Sequence, residues 1–89
     1  MLQSEMKLDG NAIGGMLREV FVMEMTTAEA TCASCAAVNP VGRLDVYIHA
    51  PGTVVRCPGC ESVLMRIVRG PGRYWLDLTG IRCLELAEP

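Results

Sequence analysis

From residue 44 onward apolar and polar positions alternate with period two, the mark of half-buried strands. Leu44-Asp-Val-Tyr-Ile-His49 reads as one strand, Ala50-Pro-Gly-Thr53 supplies the Pro-Gly centre of a type II turn, and Thr53 to Arg56 returns. With His49 opposite Val54, Leu44, Val46, Ile48 and Val55 share one face; Asp45, Tyr47, His49, Val54 and Arg56 share the other. The pattern then repeats its turn chemistry but not its sequence. Ser62 to Arg69 runs out, Gly70-Pro-Gly-Arg73 turns, and Tyr74 to Thr79 returns. Pairing Arg69 with Tyr74 gathers Val63, Met65, Ile67, Tyr74, Leu76 and Leu78 on one apolar face and leaves Leu64, Val68 and Trp75 on the other. It also sets Arg66 opposite Asp77, a favourable cross-strand pair that a one-residue slip would lose. Gly80 ends the run. Ile81 to Leu86 is a final strand or a turn of helix, between which periodicity does not choose.

The amino-terminal part has a helical period instead. Residues 1–8 read as a loose leader. Asp9 or Asn11 caps a helix over 9–21, with Ile13, Leu17, Val20 and Phe21 on one stripe. Gly14 and Gly15 together cost roughly 2 kcal/mol of helix propensity, so the helix depends on tertiary packing. The glycines mark either a close backbone approach or a frayed start. Val22 to Thr26 reads as a short strand, and Ala28 to Thr31 as an extended lead.

That lead runs into the first of two knuckles, Cys32-Ala-Ser-Cys35; the second is Cys57-Pro-Gly-Cys60, and 21 residues, Ala36 to Arg56, lie between them. Each C-x2-C offers two thiolates from one tight turn, and two such turns make the four corners of a tetrahedral Zn²⁺ site. Together with the hairpins they predict a small α+β zinc ribbon over residues 1–89: an amino-terminal helix packed on two antiparallel β-hairpins, with 28–89 forming the ribbon and second hairpin. Four thiolates leave no open coordination position, which indicates one structural ion. Iron in a rubredoxin-type centre is the alternative. Against it, Ala36 and Glu61 stand where rubredoxin-like knuckles usually carry glycine, and that family's aromatic-rich core is missing. Thiol–disulfide chemistry wants its first cysteine at a helix amino terminus, whereas Cys57-Pro-Gly-Cys60 leads into a strand. Cys83, the fifth cysteine, is expected to be a small buried hydrophobe, and His49, the single histidine, a solvent-facing strand residue.

Composition explains why a metal would be useful. A chain of 89 residues has a marginal apolar core, and with aromatics at only 4% that core must be aliphatic. Formal charge is −2, and four thiolates with Zn²⁺ would take it to about −4, which disfavours broad nucleic-acid binding. The charge is uneven: residues 1–42 carry two basic and five acidic side chains, 43–73 five and two, and 74–89 one and three. Locally basic residues and aromatics meet on the non-core strand faces, where Tyr47, Arg56, Arg66 and Trp75 form a candidate partner-binding patch. A solvated face, or one covered by the helix, is the competing reading. Met-Leu-Gln-Ser-Glu-Met-Lys lacks the pattern of a signal peptide, no stretch approaches a membrane span, and the cysteine spacing suits a reducing cytoplasm.

Leu8-Asp-Gly-Asn-Ala12, Leu17-Arg-Glu-Val-Phe21, Thr26-Thr-Ala28, Ala50-Pro-Gly52, Arg56-Cys-Pro-Gly-Cys60 and Trp75-Leu-Asp-Leu78 resemble a family of short uncharacterised bacterial zinc-ribbon proteins, best known from actinobacteria. The resemblance covers nearly the whole chain. It implies a ribbon with a helical lead and gives the ligand role to Cys32, Cys35, Cys57 and Cys60 alone; it implies no activity. Paired acids, a phosphate loop and a Ser/His/Asp set do not stand out, so an enzyme is not expected. The expected function is a binding module for a protein partner or, second, for nucleic acid. The alternative is a structural protein whose outer strands pair with a second copy as a homo-oligomer.

Overall fold

A computed structural model describes residues 7–49 and 52–88. Its elements are β1 (Lys7–Asp9), a 3-10 turn (Gly10–Ile13), α1 (Gly14–Phe21), β2 (Glu29–Cys32), β3 (Val38–Pro40), a second 3-10 turn (Val41–Arg43), β4 (Asp45–His49), β5 (Gly52–Arg56), β6 (Val63–Gly70), β7 (Arg73–Asp77) and β8 (Ile81–Glu85). They make a small α+β protein of two antiparallel sheets, one ordered β1-β4-β5-β6-β7 and the other β3-β2-β8.

The helical start is shorter than its stripe suggests. Asp9 is indeed the cap, its carboxylate accepting from the Asn11 amide at 3.1 Å, but the first turn is 3-10 and the α-helix begins at Gly14. The expected leader also shrinks: residues 1–6 lie outside the described residues, while Lys7 and Leu8 belong to β1, paired with β4. Val22 to Thr26 is not a strand. Val22 closes α1 in the left-handed conformation (φ 58°), its amide donating to the Arg18 carbonyl at 2.8 Å, and this turns the chain away from the helix axis.

The two expected hairpins are joined into one meander, because β5 pairs with β6 as well as with β4. The second keeps its expected register, Arg69 opposite Tyr74 and Arg66 opposite Asp77, with Gly72 at φ 70° as a type II turn requires. In the first, the ladder closes at His49–Gly52 instead of His49–Val54; Ala50 and Pro51 of the expected turn lie outside the described residues. That slip is two residues, so every side chain stays on its expected face. One face assignment does change. The β5–β6 ladder shifts between Val55 and Arg56, leaving Leu64 as the extra residue of a bulge. Leu64 and Met65 are both buried in consequence, while Val63 is left opposite Arg56.

The core lies between the inner face of the large sheet, α1 and the small sheet. Ile13 and Leu17 from the helical segment pack in one buried cluster with Leu44, Val46, Val55, Met65 and Ile67, joined by Ala30 and Cys32 of β2. Tyr74 extends the helix contact by donating its hydroxyl to Glu19 Oε1 at 3.2 Å. The last segment resolves as strand β8, which leaves the large sheet to pair with β2. Gly80 permits the crossing: a Cβ there would stand 1.9 Å from the Val63 carbonyl oxygen, and its own carbonyl accepts from the Ala33 amide at 2.9 Å.

The two helix glycines are not equivalent. A Cβ on Gly14 would meet Thr26 Cγ2 at 3.3 Å, whereas one on Gly15 meets nothing within 4 Å. Gly15→Ala is therefore expected to stabilise the protein by about 1 kcal/mol. Gly80→Ala is expected to destabilise it by about 3 kcal/mol or more. Denaturant melts of the two variants check both signs.

Candidate metal centre

Each knuckle is the turn of a hairpin: Cys32–Cys35 joins β2 to β3, and Cys57–Cys60 joins β5 to β6. The two are built alike. Within them, the Ala36 amide donates to the Cys32 carbonyl and the Glu61 amide to the Cys57 carbonyl, at 2.9 and 2.8 Å. The Cys32 amide donates to Ala37 O and the Cys57 amide to Ser62 O, both at 2.9 Å, closing each loop at its base. Both loops also force the residue after their second cysteine into the left-handed region, Ala36 and Glu61 each at φ 66°. Backbone amides point at the first sulfur of each pair. Ser34 N lies 3.3 Å and Cys35 N 3.5 Å from Cys32 Sγ, and Gly59 N lies 3.4 Å from Cys57 Sγ.

The turns face each other across the two sheets. Cys32 Sγ lies 3.7 Å from Cys60 Sγ, Cys35 Sγ lies 3.7 Å from Cys57 Sγ, and all four sulfurs fall within 4.8 Å of one another. A tetrahedral ion with sulfur bonds of about 2.3 Å needs sulfur–sulfur edges of about 3.8 Å, so the cluster fits a metal ion. Cys32 and Cys57 are buried and belong to the hydrophobic core; Cys35 and Cys60 are exposed. The site is thus a lid on the core, wet on one side.

Without a metal, Cys60 and Cys35 are shifted in opposite directions. Hydrogen bonding with the Ser62 hydroxyl and backbone holds Cys60 down at about 6. The Ala37 backbone pulls Cys35 the same way, but burial and the neighbouring sulfurs of Cys57, Cys60 and Cys32 outweigh it and push that thiol up to about 11. Ser62, two residues after Cys60, is a participant the spacing argument missed. Cys83 contradicts its expectation: it is exposed on β8 opposite Thr31, because β8 is an edge strand. His49 is exposed at the end of β4.

The four partner-face residues stand on the outer face of the large sheet, which α1 does not cover. Register aligns Lys7, Tyr47, Val54, Arg66 and Asp77 in one row across five strands, and His49, Gly52, Val68 and Trp75 in the next. Trp75 is 53% exposed, with the Arg73 guanidinium 6.0 Å from its ring centroid. Tyr47 and Arg56 are half-buried and, with His49 and Val54, line a shallow cleft of ≈ 290 Å³. Two arginines are already engaged: Arg56 donates to the Glu61 carbonyl at 2.9 Å, bracing the second knuckle, and Arg66 lies 3.6 Å from Asp77. Hydrogen bonds from the Thr79 amide and hydroxyl, with Arg66 beside it, hold the Asp77 carboxyl below the usual carboxylate range.

Fold and site together define a small α+β protein with one four-cysteine, metal-capable centre; no helix among the described residues is long and apolar enough to cross a membrane. The chain belongs to a family of unknown function, DUF6510, which it matches over residues 3–89. No curated protein and no solved structure matches it.

Losing one ligand of such a site forfeits much of the metal's contribution to folding. Cys57→Ser is accordingly expected to abolish cooperative thermal unfolding seen by circular dichroism, whereas Cys83→Ser, at an exposed position, shifts stability by no more than about 0.5 kcal/mol. Metal binding would also displace the protons held on the cluster. Adding Zn²⁺ to metal-free protein in weak buffer is expected to acidify the solution, and the apparent affinity to fall as pH is lowered from 8 to about 6. A pH indicator and a competing chelator measure the two effects.

Proposed function

We propose that this protein is a non-enzymatic, cytoplasmic zinc ribbon in which one structural Zn²⁺ organises a sheet whose outer face docks a protein partner. The observation that carries the reading is a closed set of four thiolates beneath a sheet whose other face is left open. Four thiolates satisfy zinc's tetrahedral preference and leave no position for a substrate or water. Zinc is favoured over iron because Ala36 and Glu61 keep the left-handed position that rubredoxin-like knuckles give to glycine, and because the largest buried side chains are Leu17, Met25, Leu44, Leu64 and Ile67, all non-aromatic. The resemblance to bacterial zinc-ribbon proteins supports the same assignment.

A protein is favoured over nucleic acid by how the outer face is charged. Its register sets Lys7, Arg56, Arg66 and Arg73 among Asp9, Asp45 and Asp77. Lys7 lies 3.9 Å from Asp45, and Arg66 is paired with Asp77. A phosphate backbone is bound by unpaired cations. Paired charges around Tyr47, Val54, Val68 and Trp75 instead form a polar rim about an apolar strip, the anatomy of a protein interface.

Protein purified without chelator is expected to be colourless and to contain one zinc per chain; a red iron protein would overturn the metal assignment. Trp75→Ala is expected to weaken capture of the native partner about ten- to a hundred-fold while leaving the melt nearly unchanged. In dilute, monomeric protein, emission of the single tryptophan is expected to resemble that of an exposed indole and not to respond to a single-stranded oligonucleotide. A strong response would move the reading to nucleic acid.

A further inference from the structure

Two sheets have four edge strands, and three of these are blunted against further pairing. β1 and β3 are three residues long, and β3 ends in Pro40. β8 pairs irregularly with β2 and carries Arg82 and Glu85. Short, proline-bearing, irregular and charged edges are the usual protections against strand addition. β7 is five residues long, has no proline and no register shift, and carries charges only at its two ends. It runs Arg73-Tyr-Trp-Leu-Asp77 in unbroken register with β6 and pairs with no other described strand, and its centre is apolar, Trp75 53% and Leu76 39% exposed.

Its sequence is also self-complementary. If two β7 strands meet antiparallel with Trp75 opposite Trp75, Arg73 of each falls opposite Asp77 of the other, and Tyr74 falls opposite Leu76. Both ends of the seam then carry an opposite-charge pair, and the centre an aromatic one. Asp77 would lie between Arg66 of its own chain and Arg73 of its partner, continuing the charged row across the sheet.

We propose that β7 is a self-association edge, through which two copies join their five-stranded sheets into one continuous antiparallel sheet about a two-fold axis at Trp75. Lateral pairing uses backbone groups at the strand edge and leaves the outer faces of both copies open, now side by side. Two five-residue strands bury less surface than a standard interface, so assembly is reversible, with Kd on the order of 1–100 µM.

Sedimentation of the metal-loaded full chain tests this. Wild type is expected to pass from monomer to dimer across that range, with a blue shift of Trp75 emission; a monomer up to about 1 mM overturns the proposal. Arg73→Asp sets carboxylate against carboxylate and Asp77→Arg sets guanidinium against guanidinium, so each alone is expected to stay monomeric, while an equimolar mixture restores the dimer. Unimpaired dimerisation of Arg73→Asp, or failure of the mixture to associate when both variants melt cooperatively, overturns it. Asp77 also holds Thr79 and Arg66, so if Asp77→Arg does not fold, Arg73→Lys replaces it: this variant must keep the dimer that Arg73→Asp loses.

Discussion

Four sulfur atoms within 4.8 Å of one another are the constraint on which the rest depends, because they come from different sheets. Cys32 and Cys35 stand on the turn of the β2–β3 hairpin, Cys57 and Cys60 on that of β5–β6. Drawing those tips together decides how the two sheets sit on a common core. Cys32 and Cys57 are themselves among its most deeply buried residues, so the centre and the apolar core are one contiguous body. In a chain this short, a metal ion held there would add free energy that aliphatic packing alone supplies only marginally.

The clamp gives the large sheet two unlike faces. Its inner face is consumed by α1, the small sheet and the knuckles. Its outer face keeps Tyr47, Val54, Val68 and Trp75 amid paired charges, and one of those charges is structural, since Arg56 braces the second knuckle. On the proposed reading, that open face is a docking surface carried by the cysteine-clamped core, and the β7 edge is a second, lateral one.

How far the chain could be read depended on whether the information was local. The β6–β7 register was readable because a Pro-Gly turn, an Arg66–Asp77 pair and a clean apolar face all agree on it. The β4–β5 register had only its turn to define it and came out two residues away, a shift that period-two patterning cannot detect. Leu64 was assigned to the wrong face because its bulge is a property of the β5–β6 ladder, not of β6. Ser62 was missed as a partner of Cys60 because serine beside a cysteine carries no signal until the turn is folded.

Spacing and periodicity by themselves determined the four cysteines of the cluster, a helix cap at Asp9 or Asn11, the turn at Gly72 and which side of β4, β5, β6 and β7 faces inward, except at the bulge. These are decided within a few residues, by the geometry of a knuckle, a helix end or a pleat. Tertiary structure alone decided that both hairpins join one sheet, that β8 crosses to the other through Gly80, that Cys83 is exposed, and that the helix leaves Trp75 open. Those outcomes depend on which distant segment occupies a given face or edge. The sequence encodes that choice only through the summed fit of many contacts, which no single local pattern carries.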